Sequence, residues 1–270
     1  MTANSEIKPV VLTIGGLDPS GGAGIIADIR TFVAFDCFPT AVLTSITFQN
    51  TTGVFGALHQ TAATIRAQAD PIIQDFEISA AKTGMLPTAE IVAEVAQLFR
   101  EKRLPSPVLD PVMVSTSGHD LIGEEAFRVI KAELLPLAMV VTPNIPEAER
   151  LAGFSIRDVA DMRRAAAAIL GLGARAVLVK GGHREKGKRT GESGEEAIDI
   201  MLDDAGNFVD LREDFLEVGA VHGSGCTLSA AIAANLATGL DLEESIRVAK
   251  RYVTNAIRFA PKLGHGARPL

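Results

Sequence analysis

Short runs of β-branched and aliphatic residues recur along this chain, each ending in glycine or polar residues before a helical pattern begins. No other feature restricts its fold as much. The runs are 10–14, 40–47, 78–82, 107–110, 138–142 and 176–180. Apolar residues at helical spacing fill 24–35, 65–73, 89–103 and 163–172 between them. Buried parallel strands read as continuous apolar stretches, and parallel neighbours need a helical crossover. The alternation therefore predicts an α/β fold with a mainly parallel central sheet and helices on both faces.

The chain has 270 residues, 47% of them hydrophobic and 22% charged, enough to bury a sizeable core. With no internal repeat and no Pro/Ser-rich linker, residues 1–270 are expected to form a single domain. The net charge of −7, with basic residues grouped only at 184–189, leaves no electrostatic footprint for nucleic acid or an anionic membrane. No apolar run reaches transmembrane length, and residues 1–8 lack a signal-peptide pattern. Two cysteines, Cys37 and Cys226, provide no disulfide framework, so a cytoplasmic location is expected.

Residues 218–227 carry Gly223, Ser224, Gly225 and Cys226 directly into an apolar, alanine-rich helix pattern. Glycines let the backbone approach a ligand, and a helix start aims amide N–H groups and a positive dipole end at an anion. A cysteine there is placed where thiolate is favoured. The plainer alternative is a turn capped by Ser224 or Thr227 with an inert cysteine. Other glycine or polar clusters follow the predicted strands at 15–24, 82–86, 110–113, 142–148 and 180–183. In an open α/β sheet all of these lie on the ligand-binding edge, outside the strands' carboxyl ends. The polar stretch 184–196 is either a solvated hairpin tip or a mobile flap whose basic residues approach a polyphosphate.

Gly22-Ala23-Gly24-Ile25-Ile26-Ala27 has the spacing of a dinucleotide fingerprint, yet the next strand ends in Phe48-Gln49-Asn50 without the carboxylate that would hold ribose. No Walker-type phosphate loop occurs. Phosphoryl transfer by another route suits the remaining groups. The amides of 223–226 form an anion cradle, Asp110 and Glu147 are hard oxygen ligands for a hydrated Mg²⁺, and Lys180 is the cation for the polyphosphate. N-capping or solvation remains the alternative for the two carboxylates, and a snorkelled strand-end lysine for Lys180.

Taken in order over essentially the whole chain, these motifs resemble the ribokinase-like superfamily. Within it they resemble the hydroxymethylpyrimidine/phosphomethylpyrimidine kinases of thiamine biosynthesis. The resemblance rests on 16–24, 49–51, 82–86, 110–113, 142–148, 180–183, 222–231 and 264–266. It implies a three-layer α/β/α fold and an ATP- and Mg²⁺-dependent kinase acting on 4-amino-5-hydroxymethyl-2-methylpyrimidine and then on its monophosphate. It places Cys226 where sugar-kinase relatives carry an aspartate base, with Gly223, Ser224 and Gly225 as the anion hole. Gln49 grips the pyrimidine, and Gly16, Asp18, Ala23, Met85 and Val112 line its pocket. Asp110, Asn144, Glu147 and Lys180 fall on the nucleotide–metal side. A homodimer is usual in the family. Gln49 also has its own logic, because a carboxamide complements the ring nitrogen and amine of an aminopyrimidine edge, the alternative being that it merely caps a strand end.

Cysteine-type pyridoxal kinases share the glycine motifs but act on a ring without that amino edge. Leu17, Ile26, Thr116, Val221 and Ser224 depart from the usual pattern. Loss of polar groups at Leu17 and Val221 leaves a catalytically weak, pyrimidine-binding sensor as a further alternative.

Overall fold

The computed structural model describes residues 8–101, 104–113, 121–182, 196–216 and 218–270. Most of the stretch 184–196, together with His183 and Thr116, lies outside the described residues.

The first strand, β1 (Val10–Leu17), leads into α1 (Gly24–Ala34), and β2 (Phe38–Asn50) turns back into β3 (Gly53–His59). Then follow α2 (Ala62–Asp75), β4 (Ile78–Thr83), α3 (Ala89–Arg100), β5 (Val108–Leu109) and α4 (Glu124–Val129). After β6 (Val140–Val141) come α5 (Ile145–Ala152), α6 (Val159–Leu170), β7 (Ala176–Val179), β8 (Glu196–Asp203) and β9 (Phe208–Asp214). The last elements are β10 (Val221–His222), α7 (Ser224–Ala237), α8 (Leu242–Arg258) and β11 (Arg268–Pro269).

Among the described residues, nine strands form one sheet in the order β3-β2-β1-β4-β5-β6-β7-β8-β9. The neighbours from β2 to β7 are parallel, and antiparallel pairs close both flanks. Ile14 pairs with Thr83, Thr83 with Leu109 and Leu109 with Val141, so β4, β5 and β6 finish abreast while β1 runs on to Leu17. Chain order reverses at β1, which has β2 on one side and β4 on the other. That is the switch point where open α/β sheets leave a crevice.

Side-chain alternation builds two cores. Leu12 and Ile14 of β1 join Ile65, Ile91, Val95, Leu134 and Ala166 on one face. Val11 joins Phe32, Ile232, Ala233, Ile246 and Ala249 on the other. Burying one such aliphatic side chain stabilises the fold by roughly 1.5–3 kcal/mol. Ala230, Ala231, Ala233 and Ala234 are fully buried, and their small size lets α7 lie close over β1, β4 and β5. That packing sets the start of α7 above the carboxyl ends of those strands.

Three features exceed the sequence-based expectation. The strand expected over 40–47 runs through Asn50 and pairs with β3, with a bulge between Phe48 and Gln49. The β8–β9 hairpin adds an antiparallel flank. Helix α5 begins inside the polar cluster at 142–148, and α6 starts at Val159, where the Asp158 carboxylate caps it.

Candidate active site

Helix α7 begins with Gly223 at φ 89° and no side-chain cap. An added Cβ on Gly223 would overlap the Gly22 carbonyl, so both conformation and space demand glycine. The first helical bond runs from the Thr227 amide to the Gly223 carbonyl at 2.9 Å. The amides of Ser224, Gly225 and Cys226 therefore have no helical carbonyl to bond, and they gather at the positive end of the helix. Capping by Ser224 or Thr227 is not what forms.

Lys180 follows β7, and its Nζ lies 3.4 Å from Asp110 Oδ1. Burial opposes its charge, but Asp110 and Glu147 outweigh that and hold its pKa above the usual lysine value. Ser229 Oγ is 3.4 Å from Asp110 Oδ2, which ties β5 to the second turn of α7. The side chain of Asn144 accepts from the Glu147 amide at 3.0 Å, and Glu147 Oε2 accepts from the Asn144 amide at 2.9 Å. This capping box opens α5 and places Glu147 beside Lys180. Glu147 Oε1 also receives the Met113 amide at 3.5 Å. Burial, aided by the charge of Asp110, pushes its carboxyl up to about 7 against the pull of Lys180.

Cys226 faces the cavity at the third position of α7. The sequence led to a thiolate-favouring site, and the surroundings oppose it. Desolvation pushes the thiol up to about 11; Lys82 pulls it down, while Asp110 and Asp28 push it further up. The Gly24 amide donates to its sulfur.

On the opposite wall, Gly16 lies against Met85, whose sulfur would touch a Cβ at 3.2 Å. Gln49 reaches in from the end of β2, and its amide nitrogen is placed 3.2 Å from His222 Nε2. Asp18 is 3% exposed and turns both oxygens to the protein. Oδ1 accepts from the Ser20 amide and hydroxyl at 2.8 and 2.7 Å, and Oδ2 from the Ala23 amide at 2.9 Å. His222 Nε2 is 2.9 Å from Oδ2, a contact between residues 204 positions apart. Burial raises the carboxyl of Asp18, but the bonds from His222 and Ser20 prevail and hold it at about 2.

One cavity of about 740 Å³ joins both walls. Gly16, Asp18, Ala23, Gln49, Met85 and Val112 line it. So do Asp110, Asn144, Glu147, Lys180, Gly223, Ser224, Gly225 and Cys226, among other residues. Every site residue expected from the sequence is therefore in it, though Asp18, Asn144 and Glu147 spend much of their bonding capacity on the protein itself. Sequence reading assigned no role to His222, to the Lys82–Asp28 pair or to the Asp199–Lys250 pair at 2.7 Å, all of which border the cavity. Lone charges inside apolar runs, such as Asp28 after Ile25-Ile26-Ala27, are the signal that marks such pairs.

Among the described residues, no helix is long and apolar enough to cross a membrane, and no group of three or more His, Cys, Asp or Glu is arranged to hold a metal.

Residues 18–270 match the family model described as phosphomethylpyrimidine kinase. The chain is 44% identical over 262 residues to a hydroxymethylpyrimidine/phosphomethylpyrimidine kinase of Synechococcus elongatus, covering 97% of this chain and 96% of that one. It is also 44% identical over 262 residues to the thiamine biosynthesis bifunctional protein ThiED of Geobacter sulfurreducens. That match covers 96% of this chain but only 51% of the larger protein, so the chain spans about half its length. The structure is similar to an ADP complex of Bacillus subtilis pyridoxal kinase, with a TM-score of 0.87 and 36% identity, covering 97% of this chain and 96% of that one.

Proposed function

The chain belongs to the phosphomethylpyrimidine kinase family, and we propose that it is a kinase of thiamine biosynthesis. It transfers the γ-phosphoryl group of ATP to the hydroxymethyl oxygen of 4-amino-5-hydroxymethyl-2-methylpyrimidine, and then a second one to the monophosphate. The observation that carries this reading is the uncapped first turn of α7, which opens into the cavity that also holds Gln49 and Lys180. The relatives' names point to the same chemistry.

In this reading the Ser224, Gly225 and Cys226 amides take the charge on the transferring phosphoryl oxygens, where fixed dipoles need no reorganisation. Lys180 binds the polyphosphate. Asn144 and Glu147 place the start of α5 on the nucleotide side. The Cys226 thiol orients the attacking hydroxyl, whose oxygen bonds to phosphorus as the bond to the leaving ADP oxygen breaks. Its proton leaves late in so loose a transition state and passes to an oxygen of the transferred phosphoryl group, from which solvent takes it. Gln49 holds the ring edge, and Gly16, Ala23, Met85 and Val112 enclose the ring, with Asp18 behind them.

Asp110 and Glu147 fit a Mg²⁺ that keeps much of its hydration. They are two hard-oxygen groups, and both oxygens of Glu147 already accept backbone N–H bonds, which favours contact through water. A bound cation also eases the ionisation of a carboxyl held at about 7. Mg²⁺ there supplies charge neutralisation for the phosphates.

A homodimer in the cytoplasm belongs to the same proposal. It is supported by Phe48, Phe55 and Leu58 of the β2–β3 hairpin, which are 52%, 70% and 56% exposed. Pyridoxal is the second reading, carried by the similarity to the Bacillus pyridoxal kinase. Gln49 favours the aminopyrimidine, since pyridoxal offers no matching amine.

The test is ATP–Mg²⁺ turnover on the hydroxymethylpyrimidine and, separately, on pyridoxal, with mono- and diphosphate products resolved. Pyrimidine diphosphate is expected. Pyridoxal phosphate alone would move the enzyme to vitamin B6 salvage, and no turnover on either would leave a binding protein.

A further inference from the structure

Asp18 receives three donors besides His222, two on Oδ1 and one on Oδ2. A carboxyl so surrounded is an acceptor only. His222 Nε2, 2.9 Å from Oδ2, must then carry a proton and donate it. This holds for the neutral ring protonated at Nε2 and for the doubly protonated ring alike. The ring has little freedom to turn away, because a Cβ on Gly22 would overlap it. Pairing of β10 with β11, His222 beside Pro269, fixes the backbone that bears it.

As placed, the Gln49 side chain meets that same Nε2 with its own nitrogen, Nε2 to Nε2, at 3.2 Å. A carboxamide can be turned by half a rotation with almost no change in shape, so bonding chemistry decides which end faces a neighbour. An NH₂ group aimed at a nitrogen that already donates sets donor against donor. The oxygen must face His222, sharing its N–H with Asp18. The NH₂ is then left for the cavity, and the second lone pair of the oxygen stays available beside it.

We infer that the Asp18–His222 pair sets the donor–acceptor order that Gln49 presents to a ligand, making His222 a positioning residue that determines specificity. The order is oxygen nearer His222 and NH₂ farther from it. A ring edge with an amine donor beside a ring-nitrogen acceptor meets it in one orientation only. The 4-oxo analogue, with a ring N–H beside a carbonyl, presents the reverse order and is refused unless the carboxamide turns. The inference rests on the proposed role of Gln49 at the pyrimidine edge.

The experiment is direct calorimetric binding, without ATP, of 4-amino-5-hydroxymethyl-2-methylpyrimidine and of its 4-oxo analogue. Wild-type protein is expected to prefer the amino compound by about 100-fold, as paired donor–acceptor readout allows. His222→Phe keeps the ring volume and removes the donor, and its preference should fall at least about tenfold through weaker amino and stronger oxo binding. His222→Gln restores a donor between Asp18 and Gln49 and should recover most of the preference. A role in packing alone predicts the opposite ranking, with Phe better than Gln. Should His222→Phe not fold, His222→Met carries the same expectation.

An undiminished preference in the Phe or Met variant overturns the inference while leaving the role of Gln49 intact. That role fails separately if wild type shows no preference, or if Gln49→Ala keeps it.

Discussion

Lys82 Nζ stands 2.9 and 2.8 Å from the two oxygens of Asp28, with the side chains 1% and 0% exposed. Thr13 adds a third bond to the same carboxylate at 2.6 Å. Burial opposes the lysine charge, but Asp28, Cys226 and Asp110 outweigh it and raise its pKa. Removing one partner of a buried pair leaves the other uncompensated, at a cost of about 3–5 kcal/mol. Lys82→Met and Asp28→Leu should each lose about that much in urea denaturation, and the double variant distinctly less than their sum. Additive losses would show that the pair is not coupled.

Cys226→Ala is expected to lower kcat by about 10²–10⁴ when the thiol no longer orients the acceptor. Cys37→Ala, buried against α7 away from the cavity, should leave turnover within about twofold and reduce stability by about 1–2 kcal/mol. Because the Cys226 thiol sits at about 11, alkylation by iodoacetamide should rise about tenfold per pH unit from pH 7 to 10. A plateau below pH 9 would contradict this.

Acid stability provides a third check. The folded value of Asp18 is about 2 against an ordinary 3.8. Its contribution is therefore complete above pH 3.8 and disappears as pH falls through about 2. The amount at stake is roughly 2 kcal/mol. Urea midpoints measured from pH 5 to pH 2 should fall in that window, and Asp18→Asn should be less stable at pH 5 with a flatter profile.

Glu147 has the opposite sign. Its folded value is near 7 against 4.5, so its contribution is complete below pH 4.5 and is lost as pH rises through about 7. Glu147→Gln stays neutral and can keep the capping box. At pH 8, without ATP or Mg²⁺, it should be more stable than wild type by about 1–2 kcal/mol. It should also raise the KM for ATP–Mg²⁺ by about tenfold or more. A variant both less stable and equally active would contradict the proposed role.

The parallel centre of the sheet and the edge on which the site lies were legible because apolar runs and glycine-rich ends repeat in register with each other. The start of α7 at 223–226 was legible too, as a glycine turn running into an alanine-rich pattern, although the same residues also fit a plain capped turn. Antiparallel flanks were not: the polar alternation of residues 196–203 looks like surface when read alone and becomes a strand only against β7 and β9. Nor could helix-start chemistry predict the Cys226 thiol, because the burial that chiefly raises it, and then the charges of Asp110 and Asp28, come from distant segments. Glu147 was legible as a carboxylate in the site, while its part in a capping box needed the backbone of α5.

The bond between Asp18 and His222 bears on how this protein is made. A chain emerging from a ribosome has folded little of its site until residue 222 and the helix behind it are outside the exit tunnel. Until then Asp18 and Gln49 lack His222, and the first turn of α7 does not exist. Fragments ending before α7 should therefore have no weakened version of the activity. Catalysis in this molecule appears all at once, as a property of the finished chain.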